Sequence, residues 1–366
     1  MTTGFAVTAG WDLPVEDPSH VHAAVAMAGA AVTHAGLTQA DRASCALITT
    51  ELATNLARHA RDGRLVATAT EPGPAAWVQL AAVDHGPGIP DVKAAMADGY
   101  STAASLGGGL GACRRAAVVF DLWTAPATGT AAIARIGPGA ASSSLNHSSP
   151  SDPATRIRVG GILSARAGER ESGDAWAVLW DAGTVTVVLM DGLGHGPEAA
   201  AAAANGLQEV AARTGADDPV TLLGRLDRRL LGGRGAVAAV ARLSQHELAF
   251  GGVGNISARL GPNGRSHGLV SSMGTLGLGQ RLRPQATVAP WGAHSLFTAH
   301  TDGIRPSWDL SRYPGVTRHD LAVMAALIWR DAATRGDDAA IVITATAAEL
   351  AAAGNAGDAW DTVGRP

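Results

Sequence analysis

The apolar and polar positions of this chain keep one rhythm before a long polar break and another after it. Helical patterns run from Pro18 to Gly36 and from Thr38 to Arg61. Thr38 stands where a cap belongs, with Asp41 three residues on as an acidic variant of the capping box. "LVATAT" and "AAWVQLAAVD" read as strands, a loop and a short helix follow, and "VVFDLW" and "GTAAIARI" form a terminal strand pair about a Pro/Gly turn. The order predicts an α+β layer, with helices on one face of a mostly antiparallel sheet.

The break is "PGAASSSLNHSSPSDPAT", residues 138–155, small and polar without periodicity, and it predicts a flexible linker between two domains that each fold around their own core. The expected boundaries are 1–137, linker 138–155, second domain 156–346 and tail 347–366. In the second domain "IRVGGILSARA", "AWAVLWDA" and "TVTVVLMD" read as strands, Pro197–Thr214 and Pro219–Leu231 as helices. Short strands then run to "HSLFTAH", before a helix at about 316–335 and the closing strand "AAIVITAT". Many strands with few helices predict a sandwich covered by helices. The two halves share no order of elements, which argues against duplication.

Composition narrows the class. With 366 residues, 46% hydrophobic and 16% charged, the chain is long enough for two globular cores. A net charge of −4 gives no reason to expect a nucleic-acid or anionic-membrane partner. Cys45 and Cys113 have no metal or disulfide spacing, and neither a leader nor a membrane span is visible, so a cytoplasmic protein with reduced thiols is expected.

The first half holds no Walker motif, since the only lysine, Lys93, stands in "DVKAA". It offers another set of groups. Glu51 and Asn55 lie four apart on one face of the second helix, with His59 a turn further, so a carboxylate and an amide oxygen can face one ligand. Asp84, at a strand end in "DHGPGI", can accept a hydrogen bond from an exocyclic amine, and Gly86 and Gly88 let the backbone approach a ring. "GGGLG", residues 107–111, opens a helix whose free N–H groups suit phosphates. The roughly twenty residues between these motifs are long enough for a lid. Singly, each residue has a bland explanation; the ordered series does not.

This series, "ELATNLARHA", "DHGPGI", "GGGLG" and the "GT" of Gly129 and Thr130, resembles the GHKL ATPase/kinase superfamily, and "DGYSTAASLGGGLGACRRAAVVFDLW" is similar to the RsbT-type switch-protein serine kinases. The resemblance implies a GHKL α/β sandwich binding ATP with magnesium. It implies Glu51 as the base toward a substrate serine and Asn55 as the magnesium ligand. It also implies Asp84 as the adenine reader and Gly107, Gly108, Gly109, Leu110 and Gly111 as the phosphate loop, with His59, Gly86, Gly88 and Thr130 lining the site.

In the second half Asp174 in "ESGDAW", Asp191 in "VLMDGLGHG", Asp302 in "TAHTDGI" and Asp337 in "RGDDAAIVI" each adjoin an apolar run. Only the fold can gather them, and an all-oxygen set suits hard divalent cations that polarise phosphate and activate water. The pieces "SGDAW", "VLMDGLGHGPEAA", "FTAHTDGI" and "GDDAAIVI" resemble the SpoIIE/RsbX-like branch of the PPM phosphatases. That likeness implies an α-β-β-α sandwich with two manganese or magnesium ions. In it Asp191 bridges the ions, the Gly192 carbonyl completes one site, Asp302 and Asp337 hold the other metal, and Asp174 orients water. Asp338 is expected to make supporting hydrogen bonds. Ala340 departs from a common Thr or Ser, and His195 is either a general acid or a surface-loop residue.

Together the resemblances imply a kinase and a phosphatase acting on a STAS-domain partner in a partner-switching pathway, oligomeric state open. The alternative is a phosphatase gated by a domain that only binds ATP and partner.

Overall fold

The computed structural model describes residues 3–97, 109–140, 157–181, 183–212, 217–262, 266–292 and 295–346. Most of the expected linker and the whole expected tail lie outside these residues. The chain opens with a strand, β1 (Thr3–Pro14), then α1 (His20–His34), α2 (Gln39–His59), β2 (Arg64–Thr70) and β3 (Val78–Asp84). The short helices α3 (Val92–Ala95) and α4 (Gly109–Ala116) precede the hairpin of β4 (Val119–Ala125) and β5 (Gly129–Ile136). Thr38 caps α2 as its sequence predicts: its hydroxyl accepts from the Asp41 N–H at 3.2 Å, and Asp41 accepts from the Thr38 N–H at 3.1 Å.

Beyond the break come β6 (Ile157–Ser164), β7 (Asp174–Asp181), β8 (Thr184–Gly192), α5 (Pro197–Ala211) and α6 (Pro219–Arg229). Six strands follow: β9 (Ala236–Leu243), β10 (Glu247–Val253), β11 (Ser257–Pro262), β12 (His267–Leu269), β13 (Ala286–Pro290) and β14 (Ser295–His300). The helix expected at 316–335 is shorter. A single 3-10 turn covers Val316–Arg318, and α7 (Leu321–Ala332) starts afresh where Asp320 caps it, accepting from the Ala322 N–H at 2.8 Å. β15 (Ala339–Thr346) closes the fold.

One ten-stranded sheet runs through both halves in the order β13-β10-β9-β8-β7-β1-β2-β3-β5-β4. Its joint is β1, which pairs antiparallel with β2 on one side and with β7 on the other. Alternation of Phe5, Val7, Ala9, Trp11 and Leu13 makes this segment a strand, and a register shift between Val7 and Ala9 makes it serve two faces. The extra residue at Thr8 reverses the outward and inward positions. Phe5 and Val7 therefore join the core around Trp176, while Ala9 and Trp11 turn toward α1 and α2. Thr8 itself donates to Glu71 at 2.5 Å.

A second sheet, β12-β11-β14-β15-β6, lies against the first. Gly10 of β1 makes the approach possible, because a Cβ there would come 2.1 Å from the Leu163 carbonyl of β6. Phe5 packs its ring 5.3 Å from Trp77, 5.6 Å from Trp176 and 5.5 Å from Trp180, so residues from both sides of the break share one core. Truncating such a buried aromatic costs about 3–5 kcal/mol.

The expectation of separate cores is therefore corrected. α1 and α2 cover one face of β2, β3 and β5. The opposite face, with Val66, Val83, Trp123 and Ile133, buries against α7 from the far end of the sequence. The physical reason is that the α/β layer is apolar on both faces and has helices of its own for only one. The second half has the predicted helix, sheet, sheet, helix layering, with α5 and α6 outside the first sheet and α7 outside the second.

Candidate functional sites

The first site lies where the end of α2 meets the loop after β3. Glu51 is buried, Asn55 half-buried and His59 exposed. Burial, with the charge of nearby Glu51, pushes the Cys113 thiol up to about 12, which places Glu51 beside α4 and its glycine-rich start. Cys113 is therefore an inert packing residue.

Asp84 ends β3 opposite Thr130 of β5, and its Oδ1 accepts from the Gly86 N–H at 2.6 Å. Burial raises its carboxyl above the usual range, partly offset by that hydrogen bond and by Arg330. Gly86 is confined: a Cβ there would lie 2.8 Å from Asp84 Oδ1 and 3.0 Å from the His59 carbonyl. Gly88 has φ +79°, and its Cβ would come 2.5 Å from the Ala125 carbonyl. Both glycines thus seal the loop onto the sheet, leaving Asp84 framed by α2 and β5. Gly107 and Gly108 lie outside the described residues; Gly109, Leu110 and Gly111 form the first turn of α4.

Sequence reasoning missed Thr124. Its hydroxyl accepts from the Ile89 N–H at 2.9 Å and sits 3.2 Å from the Thr130 hydroxyl, tying the loop to the hairpin. No spacing in the sequence marks it, because the bond crosses between strands.

The second site gathers carboxylates from distant segments. Asp174 at the start of β7 and Asp191 near the end of β8 are register partners. The Thr301 hydroxyl donates to Asp174 Oδ2 at 2.6 Å, and Asn255 Nδ2 donates to Asp302 at 2.7 Å. Asp338 accepts from the Arg166 and Gly173 N–H groups, each at 2.8 Å, and so fixes the loop that presents Asp174. Thr301, also missed, receives the Ala340 N–H at 3.0 Å, so a hydroxyl stands beside the position where Ala340 lacks one.

These groups repel one another. Burial and the charges of Asp302, Asp337 and Asp338 push the Asp191 carboxyl up to about 7. Burial and Asp191 raise Asp174 well above the usual range. Among the described residues no three acidic, histidine or cysteine side chains close on a single point. The donor set nevertheless fits a hard divalent cation, since it is all oxygen and carries concentrated negative charge. Asp191, Gly192, Asp302 and Asp337 are the residues that would hold it, with Asp174 adjacent.

His195 is half-exposed and lies 3.1 Å from Glu169, a surface-loop environment. Arg234, ion-paired with Glu198, borders Gly194. Next to this loop a cavity of about 550 Å³ is lined by Glu198, Asn205, Arg229 and Arg234.

Comparison with known proteins covers the segment that holds the first site. The model of the histidine kinase-like ATPase domain matches residues 15–120. The serine/threonine-protein kinase RsbT of Bacillus subtilis (strain 168) is 33% identical over 95 residues, 26% of this chain and 71% of that protein. The chain belongs to the RsbT-type family of histidine kinase-like ATPases. In this RsbT-type member the match ends near the start of β4, so the carboxylate centre lies outside it.

Among solved structures, a chain from work on the bacterial stressosome aligns with 51% of this chain and 98% of its own length at 28% identity, TM-score 0.47. RsbX in complex with magnesium aligns with 51% and 94%, at 21% identity and TM-score 0.46. The RsbU and RsbW domains of Rv1364c from Mycobacterium tuberculosis align with 52% and 59%, at 19% identity and TM-score 0.40. Among the described residues no helix is long and apolar enough to cross a membrane.

Proposed function

We propose that this RsbT-type chain is a bifunctional partner-switching regulator. Its first site transfers phosphate from ATP to a serine or threonine of a STAS-domain protein, and its second removes phosphate from the same class of partner. The observation that carries the reading is the presence, on one continuous sheet, of a buried strand-end carboxylate at Asp84 and a repelling carboxylate cluster at Asp191.

In the forward reaction Glu51 takes the proton of the substrate hydroxyl, whose oxygen forms the new P–O bond as the bond to ADP breaks. Asn55 would hold the magnesium that accompanies the nucleotide. Asp84 reads the adenine amine, and the first turn of α4 faces the phosphates.

In the second reaction, a hydrolysis that regenerates no ATP, water displaces the serine or threonine oxygen, giving the free hydroxyl and inorganic phosphate. Divalent cations, two manganese or magnesium ions in this reading, supply charge neutralisation and an acidified water. Asp191, Asp302, Asp337 and the Gly192 carbonyl would hold them. Asp174, fixed by Thr301, orients the attacking water.

The test uses the full chain with ATP, magnesium or manganese and a STAS-domain protein. Phosphate incorporation is expected to vanish in Glu51→Gln while hydrolysis of the phosphorylated partner persists; Asp191→Asn is expected to show the reverse. Nucleotide binding without any transfer would remove the kinase claim. It would leave the second reading, a phosphatase gated by an ATP- and partner-binding domain, which the packing of α7 on the nucleotide loop favours.

A further inference from the structure

α7 ends at the nucleotide loop, and the groups at that end are fully engaged. Arg330 Nη1 donates to the Asp84 carbonyl at 2.7 Å and to the Thr128 carbonyl at 3.1 Å. Its Nε and Nη2 donate to the two carboxylate oxygens of Asp331 at 2.7 and 3.1 Å. Asp331 also accepts from the Tyr313 hydroxyl at 2.6 Å and lies 2.9 Å from His85 Nε2. The guanidinium is therefore clamped in its plane, and its side chain is only 2% exposed.

The position of the Asp84 carbonyl matters because the same residue carries the amine-reading carboxylate. Gly129 leaves the carbonyl its space, since a Cβ there would sit 2.0 Å from it. A carbonyl seated between a glycine and a fixed guanidinium cannot swing, so the backbone from which the side chain springs is fixed, and the Gly86 N–H at 2.6 Å holds the carboxylate itself.

We propose that Arg330, supplied by the second half of the chain, is a positioning residue of the nucleotide site: it holds the Asp84 backbone so that the Asp84 carboxylate meets the adenine amine. The site is thus completed by a helix lying outside the matched ATPase segment. The turn after α7 continues to the other centre. The Thr334 N–H donates to the Gly303 carbonyl at 2.7 Å, and Arg330 and Asp337 line one cavity of about 20 Å³. Adenine reading and the presentation of Asp302 and Asp337 thereby share a support.

The proposal rests on the reading of Asp84 as an adenine contact, and the experiment separates the two. The full chain is titrated with magnesium-ATP and with magnesium-GTP, whose base offers Asp84 a carbonyl oxygen where adenine offers an amine. Wild type is expected to prefer ATP. Arg330→Gln is expected to weaken ATP binding about tenfold while GTP binding changes by less than about twofold, with Arg330→Lys recovering part of the loss. Equal weakening of both nucleotides, or unchanged ATP binding, overturns the assignment.

Asp84→Asn is the reference. If wild type shows no preference, or Asp84→Asn keeps it, the nucleotide reading itself falls. If the preference is lost in Asp84→Asn but kept in Arg330→Gln, only the role of Arg330 falls. Should Arg330→Gln fail to fold, Tyr313→Phe removes one hydroxyl from Asp331 and is expected to narrow the preference about twofold. An unchanged preference in Tyr313→Phe then overturns the proposal.

Discussion

The two sites handle buried carboxylates in opposite ways. Asp84 is raised mainly by burial, yet its oxygen takes a local N–H and a guanidinium stands on its backbone. Asp191 is raised by burial and then further by three other carboxylates. The first arrangement is complete before a ligand arrives. The second carries a repulsion that a divalent cation relieves. A nucleotide site can thus be built for shape, while the carboxylate centre is built for charge.

The sharpest break of this comparison is a neutral side chain at each position. Asp191→Asn is expected to lower phosphatase turnover on the order of a hundredfold or more, because several kcal/mol of charge stabilisation go with the cation. It is also expected to raise the melting temperature of the metal-free protein, and by more than Asp84→Asn does, because Asp84 has no three carboxylates around it to relieve. Manganese titration followed by calorimetry checks the pair. A cation at a hundred times its dissociation constant stabilises wild type by about 2.7 kcal/mol and Asp191→Asn by much less.

Next in size is the other anchor of α7. Arg135 of β5 forms a bidentate pair with Asp320, donating at 2.6 and 3.1 Å, and both side chains are almost fully buried. Arg135→Ala is expected to cost about 3–5 kcal/mol by stranding that charge. Denaturant unfolding followed at both halves is expected to show one shared transition, since the cores are shared. Two separate transitions would refute the shared architecture.

A smaller effect is the acid dependence of the same pair. Burial alone would raise Asp320, but the Arg135 guanidinium holds its carboxyl below the usual 3.8. The ionised form is therefore favoured by folding, and its stabilisation is complete above that value and lost as the pH falls through the lower folded one. Melting temperatures between about pH 6 and pH 2.5 are expected to fall more steeply in wild type than in Asp320→Asn. The smallest change is Gly88→Ala, expected to cost about 1–3 kcal/mol from its left-handed φ and the Ala125 carbonyl, with ATP affinity reduced.

Much of this was legible in the sequence where the cause is local. The Thr38 and Asp41 cap, the Pro197 and Glu198 start of α5, and Asp84 and the aspartates standing at strand ends or turns all announce themselves within a few residues. β1 is also visible, in the alternation from Phe5 to Leu13, but nothing local signals the reversal at Thr8. Arg330, Thr301 and Thr124 act across separations where no periodicity operates. The hydrogen bond from Arg330 to Asp84 spans 246 residues. The double coverage of β3 and β5 was hidden for the same reason: "VQLAAVD" is apolar throughout, which tells that both faces are buried but not which element covers them.

The shared strand has a consequence for synthesis. β1 leaves the ribosome before β2 and meets it early, but its other edge belongs to β7, which begins at Asp174. At about 5–20 residues per second that edge waits on the order of ten seconds or more with its N–H and C=O groups unpaired. A second nascent chain could fill the gap in the meantime. Crowded polysomes would therefore favour strand-exchanged pairs of this protein, and slow expression would favour pairing of β1 with the β7 of its own chain.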